Sequence, residues 1–223
     1  MQDKSDNVRS RYRNSKVAMQ YDKVRFSDRE DAINHWAMRL ALRRAFSYAP
    51  AGGRVLDIPC GTGRFTWDLA KAGYQMCASD VSSEMMEVAR RSKPDCASLK
   101  ASFLAGDIFQ LPFPDRAFDV ALCIRFMNLV ERPTRLRAVR EMARVADVLI
   151  VSYYHKYSLK YFIRWMRHRL GLPAKRMSPR LSRKELADEL AETGLNVAQI
   201  ISVAPPLSEA WIAVLTKPSK GVR

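Results

Sequence analysis

Short apolar runs alternate with amphipathic helical segments along the middle of this chain, between residues 54 and 152. This alternation constrains the fold more than any other feature, because strand–helix–strand repeats build a parallel sheet with helices on both faces. The sequence therefore predicts a doubly wound α/β sheet. The predicted strands are Arg54–Ile58, Gln75–Ser79, Ser102–Ala105, Phe118–Ile124 and Val148–Ser152, and the predicted helices between them are Phe65–Ala72, Ser83–Ser92 and Arg132–Arg144.

Both ends of the chain depart from this alternation. Residues 17–48 have helical spacing and are followed by Pro50 and a glycine pair, which predicts an N-terminal helical cap. After a predicted helix, Arg183–Thr193, the strands Val197–Val203 and Ala210–Thr216 follow with no helix between them, so we expect an antiparallel pair at one sheet edge. Within a single domain, 1–223, we distinguish a cap (1–50), a core (51–152), an insertion (153–182) and the terminal helix and strand pair (183–217).

Length and composition limit the class of protein. A chain of 223 residues with 48% hydrophobic and 27% charged residues has the composition of one folded globular domain. It has no apolar run near the ~20 residues that cross a bilayer, and no N-terminal stretch typical of a signal peptide, so we expect a cytoplasmic protein. The four cysteines lack C-x-x-C spacing, which predicts neither a disulfide framework nor a metal site.

Carboxylates follow the predicted strands at the edge where open α/β sheets bind ligands. Asp57 is followed by Gly61 and Gly63, and the absence of side chains there allows a tight turn and the close approach of a ligand. Asp80 ends the second strand, where a carboxylate can accept bonds from both hydroxyls of a ribose, and Asp107 follows the third. Each carboxylate alone also fits a solvated turn or a helix cap, but several at one sheet edge favour a nucleoside site.

Three segments carry a resemblance to a known family: VLDIPCGTGRF at 55–65, ASDVSSEMMEVAR at 78–90 and GDIFQLPFPDRAFDVALC at 106–123. They resemble motifs I to IV of the class I S-adenosylmethionine (SAM)-dependent methyltransferases, above all the branch that includes the ubiquinone and menaquinone C-methyltransferases. The resemblance covers residues 17–152. It implies a Rossmann-like, mostly parallel seven-stranded sheet in the order 3-2-1-4-5-7-6, with SAM as cofactor and no metal.

The resemblance also implies a role for each matching residue. The loop that begins at Asp57 would lie beside the methionine part of SAM, Asp80 would hold the ribose, and Asp107 the adenine. Tyr21 matches an N-terminal element that folds over the cofactor in relatives. Pro59 stands where the family has its first glycine, and because proline fixes φ near −65° we expect the loop to take a different path. The implied cofactor residues are Tyr21, Asp57, Pro59, Gly61, Thr62, Gly63, Asp80, Val81, Met85, Asp107, Ile108, Cys123 and Ile124.

Candidate catalytic residues follow the fourth and fifth predicted strands: Arg125, Tyr153, Tyr154 and His155. Methyl transfer needs a general base only where the acceptor must lose a proton. His155 is the best candidate base, because an imidazole with a pKa near ~6.5 transfers protons at neutral pH. The two tyrosines could hold or stack the acceptor. An ordinary polar loop residue is an equally good interpretation of His155.

The positive charge of the chain is concentrated in one segment. Between His155 and Lys184 there are ten Lys and Arg and no Asp or Glu, in a chain whose net charge is +15. Residues 156–170 predict a basic amphipathic helix, and the resemblance implies an acceptor-side lid here. Three interpretations of this helix remain open. It could contact the inner face of a membrane, bind a protein partner, or pack on the domain with a solvated charged rim. The apolar face is predicted to consist of Tyr161, Phe162, Trp165, Met166 and Leu170.

Three functions remain open on the sequence. The leading hypothesis is SAM-dependent methyl transfer to an oxygen, carbon or nitrogen of a small or lipid-like, anionic acceptor. The alternative is methylation of RNA, since clustered cations and aromatic residues suit phosphate contact and base stacking, although no RNA-binding module is recognisable. The third is a non-catalytic SAM-binding scaffold, with Pro59 as its only indication.

Overall fold

The structure, a computed structural model, describes residues 29–96, 99, 101–173, 179–205 and 208–218. Its strands are β1 (Arg54–Asp57), β2 (Gln75–Asp80), β3 (Ala101–Ala105), β4 (Phe118–Cys123), β5 (Ala146–Tyr154), β6 (Asn196–Ser202) and β7 (Ala210–Thr216). Its helices are α1 (Arg29–Ala45), α2 (Arg64–Lys71), α3 (Ser83–Arg91), α4 (Arg132–Val145), α5 (Leu159–Arg169) and α6 (Arg183–Ala191).

All seven strands belong to one sheet, in the order β3-β2-β1-β4-β5-β7-β6. The strands β1 to β5 run parallel to one another. β7 is antiparallel to both of its neighbours, β5 and β6. The predicted fold class and strand order are therefore confirmed. The chain builds outward from β1 to β3 and then crosses back to β4 on the other side of β1. The carboxyl ends of β1 and β4 thus flank the crevice in which such sheets bind ligands.

The core lies on both faces of the sheet, because successive residues of the central strands point to opposite sides. In β4, Val120 and Leu122 pack in the cluster that contains Met38 of α1, while Ala121 packs with Met142 of α4. All of these side chains are buried. Each fully buried large apolar side chain contributes about 1.5–3 kcal/mol, so the two layers together fix the sheet.

Most predicted ends lie within one residue of the observed ones. Among the strands the fifth is the exception, since Ala146–Tyr154 extends two residues beyond each end of the prediction. Antiparallel pairing with β7 runs from Val148 to Tyr154 and carries the strand past its apolar centre. At the N-terminus, α1 and a short 3₁₀ turn, Phe46–Tyr48, occupy part of the predicted cap, and residues 17–28 lie outside the described residues.

The helix predicted within the basic segment is present as α5, and of the five residues of its predicted apolar face only Tyr161 lies elsewhere. Ser158 caps its N-terminus by accepting a bond from the backbone N–H of Tyr161. The Tyr161 ring lies under the guanidinium of Arg180, 5.2 Å from the ring centroid. The other four residues, Phe162, Trp165, Met166 and Leu170, are exposed. Of the helices that the structure describes, none is long and apolar enough to cross a membrane.

Candidate active site

A cleft opens at the carboxyl ends of β1, β2 and β4, where the strand order reverses. It is lined mainly by apolar side chains and contains the carboxylates of Asp57, Asp80 and Asp107. This composition suits a ligand with an apolar body and a few polar groups. Of the residues predicted to bind the cofactor, those that line the cleft are Asp57, Pro59, Gly61, Thr62, Asp80, Val81, Met85, Asp107, Ile108 and Ile124.

Asp80 joins the two loops that form one wall of the cleft. One carboxylate oxygen accepts the backbone N–H of Gly61 at 2.9 Å, and the other accepts that of Ser82 at 2.9 Å. Burial raises the pKa of Asp80, and these backbone donors oppose that rise. Asp80 therefore holds the two loops together at the cleft, with its carboxylate among the residues that line it.

Asp57 lies deeper, at the end of β1, and is also buried. Its carboxylate accepts a hydrogen bond of 2.6 Å from the hydroxyl of Thr66 on α2. Burial raises the pKa of Asp57 to about 7, and the neighbouring charge of Asp80 adds to the rise. A cationic group of a ligand would relieve this unfavourable burial, so the site favours an ammonium. Thr66 was not singled out in the sequence, because it lies on the following helix, outside the motif.

The glycines of the loop serve two different purposes. Gly61 has a φ of +53°, and a Cβ there would meet nothing within 4 Å, so its open side faces the cleft. Gly63 has a φ of +75°, does not line the cleft, and would bring a Cβ within 2.8 Å of the Cβ of Ala89. Gly63 thus allows α2 and α3 to approach each other. The Ile58–Pro59 peptide bond is cis, and Pro59 lines the cleft in place of the family's first glycine.

Replacing each of these two glycines by alanine is expected to distinguish the glycine that the packing of the helices requires from the one that faces the cleft. Gly63→Ala should lower the free energy of unfolding by about 2–5 kcal/mol, because overpacking against Ala89 adds to the left-handed backbone strain. Gly61→Ala carries only the backbone strain, about 1–2 kcal/mol, but places a methyl group in the cleft. Urea unfolding of both variants checks the difference. Equal losses would show that the contact with Ala89 is relieved at no cost.

Besides Gly63, two of the predicted cofactor residues lie apart from the cleft lining or outside the described residues. Cys123 is fully buried, burial raises the pKa of its thiol, and it does not line the cleft. Tyr21 lies outside the described residues. Phe65, Gly106, Phe109 and Val130 line the cleft without having been singled out in the sequence, since nothing in their local pattern distinguishes them from core residues.

Arg125 provides a cationic side chain in the cleft at the end of β4. Its backbone has a φ of +62°, an uncommon conformation for a residue with a side chain. The backbone N–H of Arg125 donates to the hydroxyl of Ser152 on β5 at 2.7 Å, which fixes this conformation. Apolar side chains flank it, among them Phe126 and Leu129. Backbone strain of this kind is concentrated at functional sites, which supports the predicted role of Arg125 in the site.

The other predicted catalytic residues do not line the cleft. Tyr153 is buried in the layer formed by α4 and α6, and burial raises the pKa of its hydroxyl. His155 is buried and stacks on Trp211, with ring centroids 4.6 Å apart. Burial lowers the pKa of His155, and its Nδ1 accepts the backbone N–H of Tyr157. Tyr154 lies under the guanidinium of Arg180. A catalytic role for these three residues stays a prediction.

The raised pKa of Asp57 gives the site an expected pH dependence. A proton on Asp57 competes with a cationic ligand group, so affinity for SAM should fall about tenfold for each pH unit below about 7.

The stability of the protein without ligand should change with pH in the opposite sense. Because the folded state binds this proton more tightly than the unfolded state, the contribution of Asp57 is most favourable below pH 3.8 and is lost as pH rises toward about 7.

Titrations of SAM between about pH 5.5 and about pH 8 test this expectation, with Asp57→Asn as the control. The variant keeps an oxygen that can accept the Thr66 hydroxyl but has no charge to titrate. It should bind more weakly at neutral pH and lose most of the pH dependence. An unchanged pH dependence in Asp57→Asn would assign the effect to another group.

Comparison with known proteins agrees with the site. Residues 55–147 match the family described as "Methyltransferase domain". A demethylmenaquinone methyltransferase of Renibacterium salmoninarum is 38% identical over 97 residues, which are 44% of this chain and 38% of that protein. The Thermus thermophilus demethylmenaquinone methyltransferase is 33% identical over 134 residues, 59% of this chain and 58% of that one. The chain thus spans about four to six tenths of the length of these relatives.

Solved structures show the same fold over nearly the whole chain. The magnesium protoporphyrin IX methyltransferase of Synechocystis, with bound S-adenosylhomocysteine (SAH), superposes with a TM-score of 0.76, covering 97% of this chain and 100% of that one. At 15% sequence identity, this similarity is evidence for the fold alone. The domain match over residues 55–147, the motifs and the strand order together support a class I SAM-dependent methyltransferase that resembles the ubiquinone and menaquinone C-methyltransferases.

Proposed function

We propose that this chain transfers the methyl group of SAM to a small acceptor that carries an anionic group. The observation that carries the proposal is the chemical division of the cleft. Asp57, Asp80 and Asp107 supply negative charge to the lining, with Arg64 near them at the start of α2, whereas Arg125 supplies positive charge among apolar side chains at the end of β4. A ligand with an ammonium and a ribose suits the first region, and an anionic acceptor suits the second.

The residues present fit SAM. Asp80 would accept the ribose hydroxyls, Asp57 would face the ammonium, and Asp107 would accept from the adenine. Val81 and Met85 line the same wall and would pack on the adenine ring. The open side of Gly61 leaves space for the methionine part. When bound, SAM supplies a methyl group already activated by its sulfonium.

The contribution of the protein is then mainly positional. Holding donor and acceptor in line can lower the barrier by about 7–11 kcal/mol without any proton transfer. The guanidinium of Arg125 would stabilise an acceptor that enters as an anion, such as a phenolate, and an ionised acceptor needs no general base. This agrees with a cleft lining that contains no histidine among the described residues.

The relatives indicate the type of acceptor. Two of them are named demethylmenaquinone methyltransferase, and others ubiquinone/menaquinone biosynthesis C-methyltransferase. A quinol ring is aromatic, ionises at its hydroxyl and would pack against the aromatic side chains of Phe109 and Phe126, whose ring centroids lie 6.2 Å apart. We therefore propose a carbon of an ionised, quinol-like ring as the first acceptor to test; the new C–C bond replaces the S–CH₃ bond, SAH is released, and the proton on the methylated carbon then passes to water.

Transfer of labelled methyl from SAM to a water-soluble naphthoquinol tests the proposal. Arg125→Gln should lower the transfer rate about 100-fold, the loss expected for one charge-assisted contact, and leave the affinity for SAM within about twofold. Arg91→Gln, which changes an exposed arginine on α3, is the matched control and should have no effect. Equal transfer by the wild type and Arg125→Gln would contradict the role of Arg125. Transfer to tRNA in place of the naphthoquinol would favour the RNA alternative.

A further inference from the structure

The helix α5 exposes an apolar face to solvent. The exposed side chains recur at helical spacing along it, so that they lie on one side of the helix. Isolated apolar residues on a surface need no explanation, but a contiguous group of large ones indicates a contact site. The exposed fractions are 56% for Leu159, 51% for Phe162, 47% for Ile163, 44% for Met166 and 68% for Leu170.

The opposite face of α5 is held against the domain, so the outward direction of the apolar face is fixed. Arg164 lies 3.5 Å from the carboxylate of Glu209, which also forms an ion pair with the buried Arg180. Arg180 in turn lies over the ring of Tyr161. Arg164 and Tyr161 thus anchor the helix, and the exposed apolar side chains point away from the domain. This arrangement is the reverse of an ordinary surface helix, which buries its apolar stripe.

Positive charge borders the apolar face. Arg167 and Arg169 are exposed on α5, and the segment from His155 to Lys184 contains ten basic residues and no acidic one. Trp165 is also exposed and stacks with Phe162, their ring centroids lying 6.1 Å apart. Tryptophan rings are favoured at a boundary between an apolar region and a solvated one, because the ring is apolar and its N–H is polar.

We infer that α5 docks this protein on the surface of an anionic lipid bilayer. The helix would lie in the plane of the interface, with Leu159, Ile163 and Met166 among the acyl chains and the arginines at the lipid phosphates. We favour lipid over nucleic acid, because Phe162 is the one aromatic side chain among the five that form the exposed face, and the arginines lie at its border. A nucleic acid would require cations and stacking rings at the centre. This inference does not depend on the proposed methyl transfer.

Sedimentation with phosphatidylcholine vesicles, with and without phosphatidylglycerol, tests the inference. The protein should sediment with the anionic vesicles at low salt and lose most of this binding at high salt. Phe162→Ser/Met166→Ser should weaken vesicle binding by at least about tenfold, since two apolar side chains no longer enter the bilayer. The control is Ile33→Ser/Leu40→Ser, which changes two exposed apolar side chains on α1 and should bind vesicles like the wild type.

Other outcomes would overturn the inference. Equal binding to neutral and anionic vesicles would show that the basic border does not contribute to binding. Equal vesicle binding by the α5 variant and the wild type would show that the apolar face does not contribute. Binding of RNA without vesicle binding would assign the segment to nucleic acid. The affinity of the α5 variant for SAM, measured beside the wild type, shows that the domain is intact, because none of the changed residues lines the cleft.

Discussion

Asp80→Ala is expected to lower the affinity for SAM by about 100-fold or more, because hydrogen bonds to a charged group contribute about 1.5–3 kcal/mol each. The variant would lose the acceptor for the ribose hydroxyls. It would also release the backbone N–H groups of Gly61 and Ser82, both of which Asp80 holds at 2.9 Å. The wall of the cleft would then lose both its charge and its shape. Isothermal titration calorimetry at about pH 8, where Asp57 is ionised, measures the effect.

The control for Asp80→Ala is Asp115→Ala. The Asp115 side chain is 76% exposed, lies away from the cleft lining and pairs with Arg144 at the surface. It should bind SAM like the wild type, whereas circular dichroism shows whether Asp80→Ala remains folded. A folded Asp80→Ala variant that binds SAM within about threefold of the wild type would contradict the assignment of Asp80 to the ribose. Such a change in affinity is less than about 1 kcal/mol of binding free energy.

Arg135→Met is expected to lower the free energy of unfolding by about 3–5 kcal/mol, because it leaves a buried carboxylate without a partner. Arg135 on α4 and Glu189 on α6 form two hydrogen bonds, of 2.8 and 2.6 Å, and their side chains are 5% and 2% exposed. The guanidinium also donates to the carbonyl of Val130. For a chain of this size the melting temperature should fall on the order of 10 °C.

Two further variants identify the cause of this loss. Arg135→Met/Glu189→Leu removes both charges and should recover most of the stability, since an apolar pair can replace a buried ion pair at little cost. Arg132→Met breaks the ion pair with Glu192, which joins the same two helices but is about half exposed, and should cost about 1 kcal/mol or less. If the double variant were as unstable as Arg135→Met, the loss would come from packing and not from the unpaired charge.

The fold could be predicted from the sequence because its central strands are buried on both faces. A strand such as β4 is apolar at every position from Val120 to Cys123, so the pattern is visible without knowledge of its neighbours. The ends of β5 could not be predicted in the same way. Asp147 and Tyr154 interrupt the apolar pattern. The pairing of Ala146 with Phe118 of β4 extends the strand over Asp147, and the pairing with β7 extends it over Tyr154.

The cofactor side of the cleft could be predicted better than the acceptor side. Asp57, Asp80 and Asp107 each follow a strand at the same edge, so local spacing is enough to bring them together. Arg125 and His155 each follow a strand as well, and the imidazole favours His155 as a base on sequence alone, although only Arg125 of the two lines the cleft. The stacking of His155 on Trp211, a residue 56 positions away in the sequence, is a long-range contact that no local pattern contains.

Calorimetric titration of the wild-type protein with SAM and with SAH tests whether the cleft is a SAM site. We expect one site for both ligands and, near pH 7, the release of part of a proton as Asp57 becomes ionised on binding. Repetition in buffers with different ionisation enthalpies measures that proton. If neither ligand bound at any pH between about 6 and 8, the cleft would not be a SAM site, and the proposed methyl transfer would fail with it.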